Sequence, residues 1–191
     1  MKHMAAMLAV VWVTGSALAA PVNYKIDPSH TFPSFEADHQ GGMSLWRGKI
    51  DSSSGNIVLD RTGNAGTVEV SMDMSTIDFG YAKLNEHFKS AEILDVARFG
   101  TATYSGRFSR WNGDAPAEVT GTLTLHGVTR PLVLTINQFQ CRVNAKTKVE
   151  RCGADASATI NRADYGVTYG ADAGFRMEVK LQIQVEAAKV E

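Results

Sequence analysis

The chain has 191 residues, 44% hydrophobic and 20% charged, with 19 basic and 20 acidic side chains giving a formal net charge of -1. That length fits a single domain with a real core. The basic residues are scattered, which argues against nucleic acid or anionic lipid as an electrostatic partner, since either needs a concentrated basic patch.

Residues 1–19 read as a leader for export. Lys2 precedes an uncharged apolar run from Ala5 to Val13, and Ala17 and Ala19 supply the small-residue cleavage pattern. The run falls well short of the roughly 20 residues that span a bilayer. Cleavage near Ala19 leaves 20–191 as one domain with 18 basic and 20 acidic side chains, a formal charge of -2. The expected location is the periplasm.

Along the mature chain the dominant signal has period two, the mark of strands with one buried and one wet face. Val68, Val70, Met72 and Met74 alternate with polar residues, as do Ala102, Tyr104, Gly106 and Phe108. So do Val119, Gly121, Leu123 and Leu125, then Leu132, Leu134 and Ile136, then the small residues from Ala154 to Ile160. The longest such run takes Phe175, Met177, Val179, Leu181, Ile183 and Val185. Ser52–Asn56, Asn112–Asp114 and His126–Pro131 read as the turns between these runs. One-sided alternation implies antiparallel pairing. About eight strands are expected, and a chain of this length closes them into a barrel or folds them into a sandwich.

One segment has helical spacing instead. From Leu84 to Leu94, residues Leu84, His87, Phe88, Ala91 and Leu94 share a face two or three turns long. Asp78 and Asp95 flank it as caps or turn formers. Further on, Cys141 and Cys152 bracket a polar decapeptide. In an exported chain they read as a disulfide, with roughly 3 kcal/mol from loop closure in the chain-entropy model.

The four histidines of the mature chain, His30, His39, His87 and His126, have no ligand spacing and read as structural; His87 could also point into a barrel mouth. Arg47 reads as an ion-pair or surface residue. Asn161–Gly166 reads as a turn in which Asp164 pairs with Arg162 or caps. No nucleophile elbow, candidate thiol or carboxylate pair is visible, so no catalytic or metal-ligating residue is assigned.

Five stretches in order carry a resemblance: Tyr24–His30, Trp46–Ile50, His87–Val96, Leu123–Pro131 and Ile160–Val167. With their spacing, the chain resembles the YceI-like family of secreted bacterial proteins, also called polyisoprenoid-binding. The resemblance covers essentially the whole mature chain. It implies an all-β, extended lipocalin-like antiparallel barrel of about eight strands with one short helix and a long internal tunnel. It implies a bound isoprenoid quinone or polyprenyl lipid and often a homodimer, with no cofactor beyond that lipid. The sequence departs from the family at Phe99-Gly100, at Pro33, where an edge or bulge is expected, and in its cysteine pair.

By alternation alone a packed core is the simpler reading of the inward residues; the resemblance favours a cavity. Small inward positions (Ala102, Gly106, Gly121, Ala156, Ala158) beside adaptable methionines point the same way. The candidate ligand-binding residues are Phe35, Met72, Met74, His87, Phe88, Tyr104, Leu123, Met177, Val179 and Leu181. The functional expectation is a lipid carrier rather than an enzyme. The alternatives are a ligand-free accessory or stress-response protein acting through a surface partner, such as a membrane redox protein, and a lipid-modifying enzyme.

Overall fold

The computed structural model describes residues 20–190; the segment read as a leader lies outside the described residues. Eleven strands form one antiparallel sheet: β1 Val22–Ile26, β2 Phe32–His39, β3 Ser44–Ile50, β4 Ser53–Asp60, β5 Ala65–Asp73, β6 Ile77–Asp78, β7 Thr101–Asn112, β8 Ala115–Leu125, β9 Val128–Val143, β10 Glu150–Asn161 and β11 Glu178–Lys189. Eight of them close a ring in the order β1-β4-β5-β7-β8-β9-β10-β11, with β11 returning to β1. The remaining three are continuations. β2 extends β1 along β11, β3 extends β4 along β2, and β6 extends β5 along β3. The architecture is an up-and-down barrel of eight long strands, the expected fold.

Three neighbouring strands are interrupted. Asp27 and Asp73 each open a short 3-10 turn in an Asp-x-Ser sequence, the carboxylate accepting from the backbone N–H of Ser29 or Ser75 (3.0 and 2.9 Å). Such an Asx arrangement competes with the strand ladder and bends the chain. The third break, at Asp51–Ser52, is tied to the second, because Asp51 N–H donates to Thr76 O and Asp73 N–H to Ser52 O. Pro33 follows the first break, opposite Ile183, just before the β2–β3 ladder begins at Ser34. It therefore lies on a local edge, where a missing N–H costs nothing.

Two turn expectations change. The strand resumes at Ser53, so Ser53–Asn56 is ladder rather than turn, and a side chain at Gly55 would meet Glu69 O at 2.0 Å. Gly55 marks close backbone approach in a strand. The β8–β9 connection is only His126-Gly127, both at positive φ (51° and 74°), the two-residue hairpin that matches sheet twist.

The helix α1, Ala82–Lys89, is shorter than its pattern. Ser90 ends it by turning N–H and hydroxyl to His87 O. Ile93 and Leu94 are still buried, but from the turns that follow. Asp78 is a turn former, accepting from Gly80 N–H and the Asn85 amide; Asp95 sits in a turn at φ 43°.

Both long connections lie at the same end of the barrel. Hairpins 61–64, 113–114 and 144–149 lie at one end of the barrel, while α1, the His126 hairpin, the 40–43 hairpin and the long 162–177 connection lie at the other. The tight end is plugged by Tyr24, Ile26, Leu59, Cys152 and Ala187, with Phe108, Trp111 and Phe139 packed on them. There Cys141 and Cys152 form the expected disulfide, directly opposite each other on β9 and β10.

Candidate functional site

The inward faces leave a cavity of about 480 Å³ along the barrel axis. It begins at the plug, where Tyr24, Leu59 and Cys152 border it, and runs through the middle layer of Val68, Tyr104, Leu123 and Val179. It continues past Ile50, Met74 and Ile77 to the end carrying α1. A mostly apolar concavity with a few polar groups at one end is the usual form of a small-molecule site.

Tyr104 shows how the wall is built. Its hydroxyl lies on the inner face, donating to Leu132 O and Val119 O (3.1 and 3.2 Å) in a shared bond. The paired glycines Gly106 and Gly121 leave the room it occupies: a Cβ on either would come within 3.1 or 2.7 Å of that hydroxyl. Burial pushes the phenol up to about 12. These two glycines hold a tyrosine rather than opening space for a ligand, and Ala158 packs on the core without bordering the cavity. Gly48 similarly makes room for the Phe35 and Phe79 rings, which meet edge-to-face at 5.5 Å.

Phe35, Met72, Met74, His87, Phe88, Tyr104, Leu123, Val179 and Leu181 all border the cavity. Met177 does not. The ladder of β11 begins at Glu178, and Phe175, Arg176 and Met177 belong to the preceding connection, where Met177 O accepts from Arg162 N–H (2.8 Å). That connection leaves the strand before Met177 can take the inward position its alternation assigned.

Several mouth residues were not read as ligand contacts in the sequence. His39 stacks on Trp46 at 4.1 Å with an interplanar angle of 19°, and Phe175 meets His39 edge-on at 5.5 Å. Phe88 lies 6.0 Å from Trp46, and His87 meets Tyr169 at 5.1 Å. Six rings from β2, β3, α1 and the 162–177 connection thus surround the opening. Only His87 and Phe88 were candidate ligand residues in the sequence; Phe175 read as an inward strand residue and His39 as structural, because the rings converge from separate elements.

Two charged side chains border the same end. Arg162 turns inward and donates to Val167 O (2.8 Å) and Tyr169 O (2.7 Å), fastening the connection; it does not pair with Asp164. The cap is Asn161, whose side chain accepts from Ala163 N–H. Burial weakens Arg162's hold on its proton, and the nearby Asp38 charge opposes that effect. Asp38 is buried, its Oδ2 accepting from the N–H groups of Gly41 (2.8 Å) and Arg176 (3.0 Å). Its Oδ1 has no hydrogen-bond partner; Arg176 Nε is 3.9 Å away.

The other polar residues singled out in the sequence lie elsewhere. Arg47 pairs with Glu36 at 2.9 Å on the surface. His30 joins Asp27 and Ser29, and His126 Nδ1 contacts Tyr165 O at 3.1 Å. Among the described residues no group of three metal-ligating side chains occurs.

Three aspartates are held ionised: Asp27 chiefly by the Ser29 hydroxyl, Asp38 by the Arg176 amide, and Asp78 by the Asn85 side chain. Each lies below the ordinary carboxylate range, so the unfolded chain takes up these protons first as pH falls. Their stabilisation is complete above about pH 4 and is lost on further acidification. Melting temperatures measured from pH 7 to 2 should hold level to about pH 4 and then drop. A flat profile to pH 2 would contradict this account.

The YceI-like domain family matches residues 24–187. The YceI proteins of Salmonella arizonae and Salmonella heidelberg are each 32% identical to the chain over 187 residues, spanning 96% of it and 94% of their own length. Among solved structures, BcnA of Burkholderia cenocepacia superimposes with a TM-score of 0.65 at 19% identity, over 84% of this chain and 98% of BcnA. A polyisoprenoid-binding domain from Saccharophagus degradans does so with a TM-score of 0.61 at 15% identity, over 88% and 99%. At such identities the superpositions speak for the barrel alone, while the domain match and the Salmonella relatives carry the lineage: the chain belongs to the YceI-like family.

Proposed function

We propose that the protein is a periplasmic carrier for a long isoprenoid lipid, an isoprenoid quinone or a polyprenyl compound. The tail lies in the barrel and the head group stays at the ring-lined mouth. The observation that carries this reading is the continuous apolar cavity running from the plug to the α1 end. Burying an alkenyl chain there yields about 25 cal/mol per Å² removed from water, with no charged contact needed. The similar Saccharophagus domain is described as binding polyisoprenoid, which supports the same class of occupant here. The leader pattern and the Cys141–Cys152 disulfide support an oxidising compartment. A lining this poor in polar groups suits holding a molecule rather than transforming it.

Native mass spectrometry of protein purified from the periplasm without detergent, followed by solvent extraction, tests the reading. The expected result is a stoichiometric polyprenyl compound. An apo mass, unchanged after incubation with quinones and polyprenols, would instead favour a protein that acts through its surface.

A further inference from the structure

We propose that the mouth selects an uncharged head group, so that the protein takes isoprenoid alcohols and quinones and excludes phosphate esters of the same chain, with Asp38 as the residue that sets this choice. The inference rests on the carrier reading above and narrows its ligand class.

Among the described residues, the cavity is bordered by one acidic and one basic side chain, Asp38 and Arg162. The basic one has two of its five N–H donors engaged. Both terminal nitrogens of Arg162 donate to backbone carbonyls of its own connection, at 2.8 and 2.7 Å. The acidic one has no hydrogen bond at Oδ1, and its side chain is only 4% exposed. Arg47 and Lys89 near this end pair with Glu36 and Glu86, and Arg176, 69% exposed, stands 3.9 Å from Asp38 Oδ1. A phosphate monoester would bring a charge of roughly -1.5 to -2 to this place. Phosphate sites are built from surplus cationic or backbone donors; here the buried Asp38 carboxylate stands in the same mouth and repels the ester's charge.

An uncharged head group meets suitable partners. His39 and His87 border the opening, and His87 Nδ1 has only the Glu92 carboxylate near it, at 4.0 Å. An imidazole can donate to a quinone carbonyl or exchange a hydrogen bond with a hydroxyl. The surrounding rings of Trp46, Phe88 and Phe175 offer faces and edges to a planar or apolar group.

The test loads delipidated protein with a polyprenol, the phosphate ester of that polyprenol and a quinone of similar chain length, each at the same concentration. Lipid retained after gel filtration is counted by native mass spectrometry. Alcohol and quinone should be retained at least about tenfold better than the phosphate. In Asp38→Asn the remaining side-chain oxygen can still accept from Gly41 and Arg176, and the ratio of alcohol to phosphate retained should fall about tenfold in a protein that still folds, with a melting temperature a few degrees lower. Asp38→Ser provides a second neutral replacement should the amide disturb folding. Equal retention of phosphate and alcohol by the unmodified protein, or an unaltered ratio in a folded Asp38 variant, overturns the inference. Retention of none of the three lipids overturns the carrier reading itself, and this inference falls with it.

Discussion

Gly121→Val is expected to prevent stable folding. Gly121 on β8 stands opposite Gly106 on β7, and a Cβ there would lie 2.3 Å from Ser105 O, 2.7 Å from the Tyr104 hydroxyl and 2.8 Å from Gly106 Cα. Two of those three atoms are backbone and cannot rotate aside. The third would be driven off Val119 and Leu132, leaving a buried phenol unpaired. Overpacking costs about 1–3 kcal/mol and an orphaned buried polar group about another 1–3 kcal/mol, against a total stability of about 5–15 kcal/mol. Urea unfolding should show a midpoint sharply below that of the parent, or no soluble protein. Gly113→Ala is the contrasting change. Gly113 lies in an open hairpin with nothing within 4 Å of an added Cβ, but at φ 65°, so only about 1 kcal/mol should be lost. Equal midpoints for the two variants would refute this account of the wall.

Met72→Trp is expected to have the opposite profile, with folding kept and lipid lost. Met72 borders the cavity from β5, flanked in register by Ala102 and Ser53, so a larger ring would extend into open space. The cavity is about 480 Å³, and an indole plus its hydrogen-bonding needs would remove a substantial part of its width. Retained polyprenol should fall by at least about tenfold while the melting temperature shifts by only a few degrees. A folded Met72→Trp protein that still carries a full complement of lipid would place the occupant elsewhere.

The barrel was legible because its period-two runs are long and clean. Val179, Leu181, Ile183 and Val185 face inward as their alternation requires, and His126-Gly127 turns the chain where expected. What the residues hid was continuity. The Ser53–Asn56 segment has turn composition yet pairs along β5, because Gly55 allows two backbones to approach. The mouth was harder to see, for a physical reason: its rings come from four elements separated by up to 136 positions, from His39 to Phe175. Asp38 had no signal at all. Its alternation puts it between Ala37 and His39 as an ordinary outward residue, and only the Gly41 and Arg176 amides reveal that it is buried. Met177 failed in reverse, since its alternation was sound but the ladder begins one residue later.

The gathering of both long connections at one end has a kinetic consequence. On the carrier reading, an end packed by Tyr24, Trp111 and the disulfide-linked strands leaves the ring-lined mouth as the way in, so a chain-shaped guest would thread in tail first and leave head first. Loading and release are then the same trajectory run in opposite directions, and their rates share one bottleneck at the ring of aromatic side chains. A carrier of this shape would work as a ferry, turning its mouth toward donor and acceptor in succession, and not as a conduit between them.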